Sequence, residues 1–260
     1  MRFASLGSGS KGNATLVESD DALVLIDCGF GVRDALARME RLGIDPARID
    51  ALLMTHEHND HLRGVKSLTR RYGMPVYLTA GTWLASRLEG LEQVRLITPE
   101  QRFAIKDIEI DPVTVPHDAR EPVQYVLEAA GRRLGVLTDI GHVTDHVKQR
   151  FRGCDGLMLE LNHDPQMLAE GPYPPVLKRR VGGRWGHLAN AQAVSLLRTW
   201  GTERLQRVVA AHLSEKNNLP ELANQALAPL FTADDSRFMI ADQTLGLGWQ
   251  FLERAESRVL

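Results

Sequence analysis

Cysteine is almost absent. Cys28 and Cys154 are the only two in 260 residues, which gives no framework for structural disulfides. Cys28 follows Asp27 and reads as a small buried apolar side chain. An excess of either charge is also lacking. Lys and Arg total 31 against 33 Asp and Glu, a formal net charge of −2. The chain therefore exerts no global pull on nucleic acid or on an acidic membrane surface, and any basic groove must be local. No apolar run is long enough to span a bilayer, and the opening Met1-Arg2-Phe3-Ala4-Ser5 lacks the apolar core of a signal peptide. The expectation is a cytoplasmic protein with no membrane partner. Linker composition is missing too, and there is no internal repeat beyond a loose two-halves symmetry of strands and helices. The chain is thus expected to be a single domain over residues 1–260, large enough for a sizeable core. Its 43% hydrophobic and 25% charged composition is that of an ordinary globular protein. Oligomeric state is not legible.

What the sequence does have is a concentration of histidine. Three of its nine histidines fall in Thr55-His56-Glu57-His58-Asn59-Asp60-His61. In a strand, His56 and His58 would face away from His61. In a helix, neighbours lie three or four apart. A loop that leaves a strand and enters a helix turns all four donors, His56, His58, Asp60 and His61, toward one point. The flanks agree: Ala51 to Thr55 reads as a buried strand, and His61 to Tyr72 carries a helical stripe at Leu62, Val65, Leu68 and Tyr72. Neutral imidazole and carboxylate suit zinc and Mn- or Fe-type cations. Four donors so close exceed what one open site takes from one segment, so the spacing predicts two adjacent ions.

The remaining apolar runs deliver potential ligands at their C-terminal ends. Leu23 to Ile26 ends at Asp27, a carboxylate placed either to hold a ligand imidazole or to face solvent. Ile108 to Val115 ends at Pro116-His117-Asp118, and Arg133 to Thr138 ends at Asp139. Gly156 to Leu161 ends at Asn162-His163-Asp164, and Leu205 to Ala211 ends at His212. Aligned strands bring such ends to one rim, where active sites lie. Helices are expected over Val32 to Leu42, Thr82 to Leu88, Asn190 to Trp200 with Asn190 as N-cap, and Glu221 to Leu230. Further strands are expected at Pro75 to Leu78, Gln93 to Ile97, Arg237 to Ala241 and Leu247 to Leu252. The loop Gly7-Ser8-Gly9-Ser10-Lys11-Gly12-Asn13 suits either a backbone cradle for phosphate or a flexible β-turn; it is not a P-loop. Residues 164–190, with Pro165, Pro172, Pro174 and Pro175, are expected to lack regular structure. Lys178-Arg179-Arg180 and Trp185 there form a basic patch with an aromatic, suited to nucleic acid or simply a solvated face. His142 and His146, one helical turn apart, read as solvated helix-face residues.

The H-x-H-x-D-H motif with later His, Asp and His at strand ends resembles the metallo-β-lactamase fold superfamily over almost the whole chain. The resemblance implies an α/β (α+β) fold, a four-layer αββα sandwich with a binuclear site. One cation would take His56, His58 and His117, the other Asp60, His61 and His212, with Asp139 bridging. Gly7 to Asn13, Glu160-Leu161-Asn162-His163-Asp164, Gly186-His187-Leu188-Ala189-Asn190 and His212 to Asn218 are similar to the small bacterial YycJ (WalJ/VicX) branch. That branch is regarded as DNA exonucleases of 5′→3′ polarity with a possible tie to mismatch repair. Two of its motif serines are Leu161 and Ala189 here. The chain is too short for the extra clamp domain of larger family nucleases.

The expected function is thus a hydrolase using two divalent ions (zinc, manganese or iron) on a phosphodiester, with DNA as partner. A hydroxide shared between the ions would attack, with Asp60 and Asp139 in the catalytic centre. His187, and after it His163, are the candidate proton donors to the leaving group. Ser10, Lys11, Asn13, Asn162 and Lys216 are candidate substrate contacts. The rivals are a thioester or lactone hydrolase, a cyclic-nucleotide phosphodiesterase and a metal-stabilised binding module.

Overall fold

The computed structural model describes residues 1–232 and 235–254. Two seven-stranded sheets form its frame. The first runs through β1 (Arg2–Gly7), β2 (Ala14–Glu18), β3 (Leu23–Ile26), β4 (Ala51–Leu53), β5 (Val76–Thr79) and β6 (Val94–Ile97). The second runs through β7 (Phe103–Ile105), β8 (Ile108–Thr114), β9 (Val123–Ala129), β10 (Arg132–Leu137), β11 (Gly156–Glu160), β12 (Arg207–Ala211) and β13 (Phe238–Ile240). The last strand, β14 (Leu247–Phe251), returns to the first sheet and pairs with β1. Each sheet is antiparallel through its first four strands and parallel through the rest. The order β14-β1-β2-β3 matches β7-β8-β9-β10, and β4-β5-β6 matches β11-β12-β13. The loose symmetry read from the sequence is this repeated pattern.

Alternation along the strands sorts side chains between cores. Val24 and Ile26 of β3 join Phe3, Tyr125, Leu134, Met158 and Val209 between the sheets. Leu23 and Leu25 face the other way, with Ala35 and Met39 of α1 (Val32–Arg41). The short α2 (Asn59–Leu62) and then α3 (Val65–Tyr72) follow β4, and Val65 and Leu68 cover the same outer face. After β5 comes α4 (Ala80–Ala85). On the second sheet, Leu157 and Leu159 of β11 pack under α5 (Asp145–Phe151), α8 (Asn190–Trp200) and α9 (Pro220–Leu227). The layers are therefore helix, sheet, sheet, helix, the expected αββα sandwich. Each fully buried Leu, Val or Phe contributes about 1.5–3 kcal/mol, so the three cores account for most of the driving force.

Three local expectations change. The single helix expected over His61 to Tyr72 is split at Gly64, whose amide donates to the Cys28 carbonyl at 2.8 Å. A Cβ there would come within 2.1 Å of the Phe30 carbonyl oxygen, so only glycine permits this approach. Residues 164–190 are not structureless: they hold α6 (Pro165–Glu170) and α7 (Pro175–Val181). Pro165 and Pro175 begin helices instead of breaking them, because the first turn has no use for the missing N–H. Asp164 caps α6 by accepting from the Met167 amide at 2.9 Å. Asn190 is the first residue inside α8 and Ala189 is its cap.

Candidate metal centre

The 56–61 loop is set by its surroundings. Thr55 donates its amide and its hydroxyl to Asp27, at 2.8 and 2.7 Å. Cys28 donates its amide to the His61 carbonyl at 2.8 Å, and Asn13 donates its amide to the Asp60 carbonyl at 2.8 Å. A Cβ on Gly29 would lie 1.7 Å from the Asp60 carbonyl oxygen, so the two segments touch backbone to backbone. β4 ends at Leu53, His58 is the N-cap of α2 and the helix starts at Asn59, which brings Asp60 and His61 round to the side of His56. The expected strand-loop-helix geometry is present.

The second sheet contributes its strand ends. Three of the site's residues, Asp27, Asp139 and His212, adopt left-handed backbone with φ of 59°, 48° and 54°. Asp and His tolerate that region better than most side chains, but it still costs about 1–3 kcal/mol each and persists where surrounding bonds fix it. Asp27 donates its amide to Leu53, Ile140 next to Asp139 donates to Glu160, and His212 donates its amide to the Ser8 hydroxyl at 2.8 Å. Each turn swings a side chain off the strand line toward one point.

All seven sequence-derived candidates meet there. His56, His58 and His117 present ligand atoms within 4.8 Å of one another; so do Asp60, His61 and His212, and so do His56, His61 and Asp139. Asp139 lies between the groups: Oδ2 is 3.2 Å from His61 Nε2, while Oδ1 is 2.9 Å from His212 Nδ1 and 4.0 Å from His117 Nε2. Asp60 Oδ2 is 3.7 Å from His61 Nε2 and 3.6 Å from His212 Nε2.

The far nitrogens of these rings are held. His61 Nδ1 sits 2.7 Å from Asp27, His56 Nδ1 3.0 Å from the Thr55 hydroxyl and His117 Nδ1 3.0 Å from the Gly186 carbonyl. Such partners fix ring orientation and the metal-facing nitrogen. Asp27 is thus a ring anchor and not a solvated strand end.

Glu160 is the residue that sequence reasoning missed. It is fully buried at the end of β11. Oε1 lies 2.7 Å from His187 Nδ1 and 3.2 Å from His212 Nδ1, and Oε2 accepts the amides of Ile140 and Leu188, both at 3.0 Å. One carboxylate ties the Asp139 turn, the His187 loop and His212 together. The signal was available: a charged residue closing an apolar strand, as with Asp27. The amide pair Asn190–Asn218, with reciprocal bonds of 3.0 and 2.9 Å, clamps the same two loops and was also missed.

The donor chemistry fits divalent cations. His56 is wholly buried, and its Nε2 has no hydrogen-bond partner; Asp139 Oδ2 likewise has none of good alignment. An unpartnered buried polar atom is costly, and a cation removes the cost. Burial, reinforced by the His61 charge, drives the His56 pKa well down, leaving the neutral ring that a metal takes. Burial also lowers His61 and His212, but the charge of Asp139 and of the neighbouring carboxylates outweighs it and raises both well above the ordinary imidazole value. Asp60 and Glu160 answer in the other direction. Burial raises them, yet His61 and His212 around Asp60, and His187 and His212 around Glu160, bring each down to about 2. Four carboxylates among these rings form a negative pocket that protons occupy when cations do not.

The centre floors a cleft of about 310 Å³ lined by His58, Asp60, Asp139, His187 and His212, with Ser10, Asn162, Ser214, Tyr173, Leu177 and Arg180 completing the lining. His187 lines it; His163 is buried, donates no side-chain bond and does not. Among the candidate contacts, Ser10 and Asn162 line the cleft, Asn162 while donating to the His212 carbonyl at 3.0 Å. Asn13 is buried, with Nδ2 3.1 Å from His61 Nε2. Lys11 pairs with Glu215 at 2.7 Å, and Lys216 is exposed away from the cleft lining. The amides of Ser8, Gly9, Lys11, Gly12 and Asn13 all donate within the protein, so the Gly/Ser loop is no backbone cradle for phosphate. It braces the centre instead. His142 and His146 stand apart and are not free: His142 Nδ1 is 2.8 Å from the Arg184 carbonyl, and His146 pairs with Glu100 at 3.0 Å.

Comparison with known proteins agrees with this geometry. Residues 23–213 match the family described as "Beta-lactamase superfamily domain". The chain is 34% identical over 236 residues to "Exodeoxyribonuclease YycJ" of Bacillus anthracis, covering 88% of each. It is 32% identical over 260 aligned residues to "Exodeoxyribonuclease WalJ" of Streptococcus pneumoniae, covering 96% of this chain and 92% of the relative. Among solved structures, zinc-bound PqqB from Methylobacterium extorquens superposes with a TM-score of 0.73 at 19% identity, covering 97% of this chain and all of that one. The metallo-β-lactamase fold protein YhfI from Bacillus subtilis does so with a TM-score of 0.72 at 17% identity, over 96% and 99%. At such identity these two bear on the fold alone.

Proposed function

The chain belongs to the β-lactamase superfamily, within its YycJ/WalJ family, and from that premise we propose that it is a metal-dependent DNA nuclease acting on strand ends. The observation that carries the reading is the convergence of seven donors from four separate segments of the chain, in a chain that matches exodeoxyribonucleases over nearly its whole length. Two cations would be held, one by His56, His58 and His117, the other by Asp60, His61 and His212, with Asp139 between them. Divalent cations in such a site supply a water made acidic enough to attack at neutral pH, and neutralise charge on the phosphate oxygens.

The protein's own groups do the rest. Glu160 engages His187 at Nδ1, which leaves Nε2 as the free ring nitrogen in the cleft. Burial lowers the His187 pKa, but the Glu160 charge outweighs it and raises it, which favours the doubly protonated ring. A proton at Nε2 is then available to the departing oxygen, the role of a general acid. His163 does not line this cleft and burial lowers its pKa, so His187 is the donor in this scheme. Asn162 and Ser214 on the cleft wall present polar atoms to the substrate backbone.

The test is reconstitution of metal-free protein with zinc, manganese or iron, followed by incubation with end-labelled linear DNA, a chromogenic phosphodiester and a thioester. Progressive shortening of the DNA, lost in Asp139→Asn and His117→Ala, is the expected result, and the labelled end gives the polarity. Thioester cleavage with the DNA left intact would refute the proposal.

A further inference from the structure

We propose that Arg180 binds the substrate phosphate adjacent to the one being cut, exchanging Asp118 for it. The inference rests on the nuclease reading above. The sequence shows three consecutive cations, Lys178, Arg179 and Arg180, and the structure separates them. Lys178 donates its ammonium to the Ala169 carbonyl, and Arg179 is exposed outside the cleft lining. Among the described residues Arg180 alone of the Lys and Arg side chains lines the cleft, whose other fixed charges are Asp60, Asp118 and Asp139.

Its position is set from both ends. Arg180 lies in the last turn of α7, whose carbonyls at Lys178 and Val181 accept the amides of Gly182 and His187. A Cβ on Gly186 would lie 2.1 Å from the Arg180 carbonyl oxygen, so the helix end rests directly on the loop whose Gly186 carbonyl faces His117 Nδ1. At the other end the guanidinium donates to Asp118 Oδ2. Asp118 Oδ1 is 3.5 Å from His117 Nε2 and 3.8 Å from His58 Nε2. The cation therefore stands one carboxylate's width from the donors of the metal centre.

That pair is suited to exchange. The Arg180 side chain is 58% exposed, and an ion pair so open to water holds its partner weakly. A phosphodiester offers the same fork two non-bridging oxygens that share one charge, in the bidentate geometry a guanidinium takes equally from a carboxylate or a phosphate. Until substrate arrives, Asp118 keeps the long side chain extended over the cleft, which reduces the ordering cost of binding.

The experiment measures binding of a short fluorescein-labelled single-stranded oligodeoxynucleotide to metal-free protein by anisotropy across a salt series. Steady-state kinetics of the metal-loaded enzyme follow, on the oligonucleotide and on bis(p-nitrophenyl) phosphate, which has no adjacent phosphate. Arg180→Gln is expected to weaken oligonucleotide binding about tenfold and to flatten the slope of log K against log salt by about 0.7, the loss of one single-strand phosphate contact. The ratio of its KM on the oligonucleotide to its KM on the small ester should rise about tenfold. Arg180→Lys should restore the slope but not all the affinity, because the charge returns without the fork. Arg179→Gln removes the same charge from the same helix outside the cleft and is the reference. An Arg180→Gln protein that matches Arg179→Gln in slope and KM ratio overturns the proposal and leaves Arg180 as a strut for α7. Should Arg180→Gln melt far below the parent, Arg180→Lys decides: a slope reduced by one contact with the charge retained also overturns it. A parent protein that neither binds nor shortens DNA fails the nuclease reading itself, an outcome separate from either Arg180 result.

Discussion

The two sheets share one strand pattern and use it differently. In the first, four donors leave from a single loop after β4, and the aspartate that ends β3, Asp27, stands behind His61 as its anchor. In the second, donors arrive singly from the ends of β8, β10 and β12, and the aspartate that ends β10, Asp139, faces the centre itself. Asp27 and Asp139 occupy matching places, with the same left-handed backbone, φ 59° and 48°. The anchoring role passes to β11 in the second sheet, as Glu160. At the end of β5, which matches β12, Thr79 bonds only to Thr82 and the Glu121 carbonyl, where the second sheet has His212. Position in the fold thus gives a side chain access to the rim; its length and neighbours decide whether it binds or braces.

The sharpest way to break this comparison is to make the same change at the two matching aspartates. Asp139→Asn is expected to lower DNA cleavage by about three orders of magnitude or more, several kcal/mol of barrier. Asp27→Asn, assayed in parallel, should lower cation affinity about 10–100-fold and leave activity largely recoverable at saturating metal. Equal effects in metal-binding titrations would show that the two places are not specialised. Glu160→Gln belongs with Asp27 in kind, but should exceed it, since two rings and two amides depend on that carboxylate.

A smaller effect separates the metal-free and metal-loaded forms by pH. His61 and His212, one from each sheet, have folded pKa values raised well above the unfolded value in the metal-free protein. Their stabilisation is complete below the unfolded imidazole pKa and lost as pH rises through the raised values. Asp60 and Glu160, lowered to about 2, contribute above the unfolded carboxylate pKa and lose that contribution as pH falls toward 2. The melting temperature of metal-free protein should therefore fall from neutral toward alkaline pH. With metal present it should rise over the same range, because binding must expel those protons. Parallel melting curves would contradict this assignment. The least effect is expected at His146→Ala, which removes an exposed pair with Glu100 worth about 0–1 kcal/mol and should leave cation affinity untouched.

Much of the centre was legible because its donors are rare residues at places where apolar runs stop. The 56–61 loop, His117, Asp139 and His212 each carried that mark. Glu160 carried it too, but reads as the last residue of a strand beside a more conspicuous His163. The α6–α7 segment was obscured by proline, which opens a helix and breaks one with the same ring; only the capping aspartate at 164 distinguishes them. β9 was passed over because its hairpin to β10 turns on Ala130-Gly131, both at positive φ (49° and 71°), with alanine where asparagine or aspartate is the usual signal. Asp118 shared the strand-end signal of His117 without a role of its own, and Tyr173 had no signal at all, since its importance comes from its place in the cleft lining.

The return of β14 to the first sheet has a consequence for biosynthesis. Arg2, Phe3 and Ser5 of β1 pair with Phe251, Gln250 and Leu247, partners made only after all the other described strands. At about 5–20 residues per second, the opening strand waits on the order of tens of seconds with one row of amides and carbonyls bare. An exposed edge of that kind invites pairing with a neighbouring nascent chain, so a transcript cut short before residue 247 should yield aggregates and not a shortened enzyme.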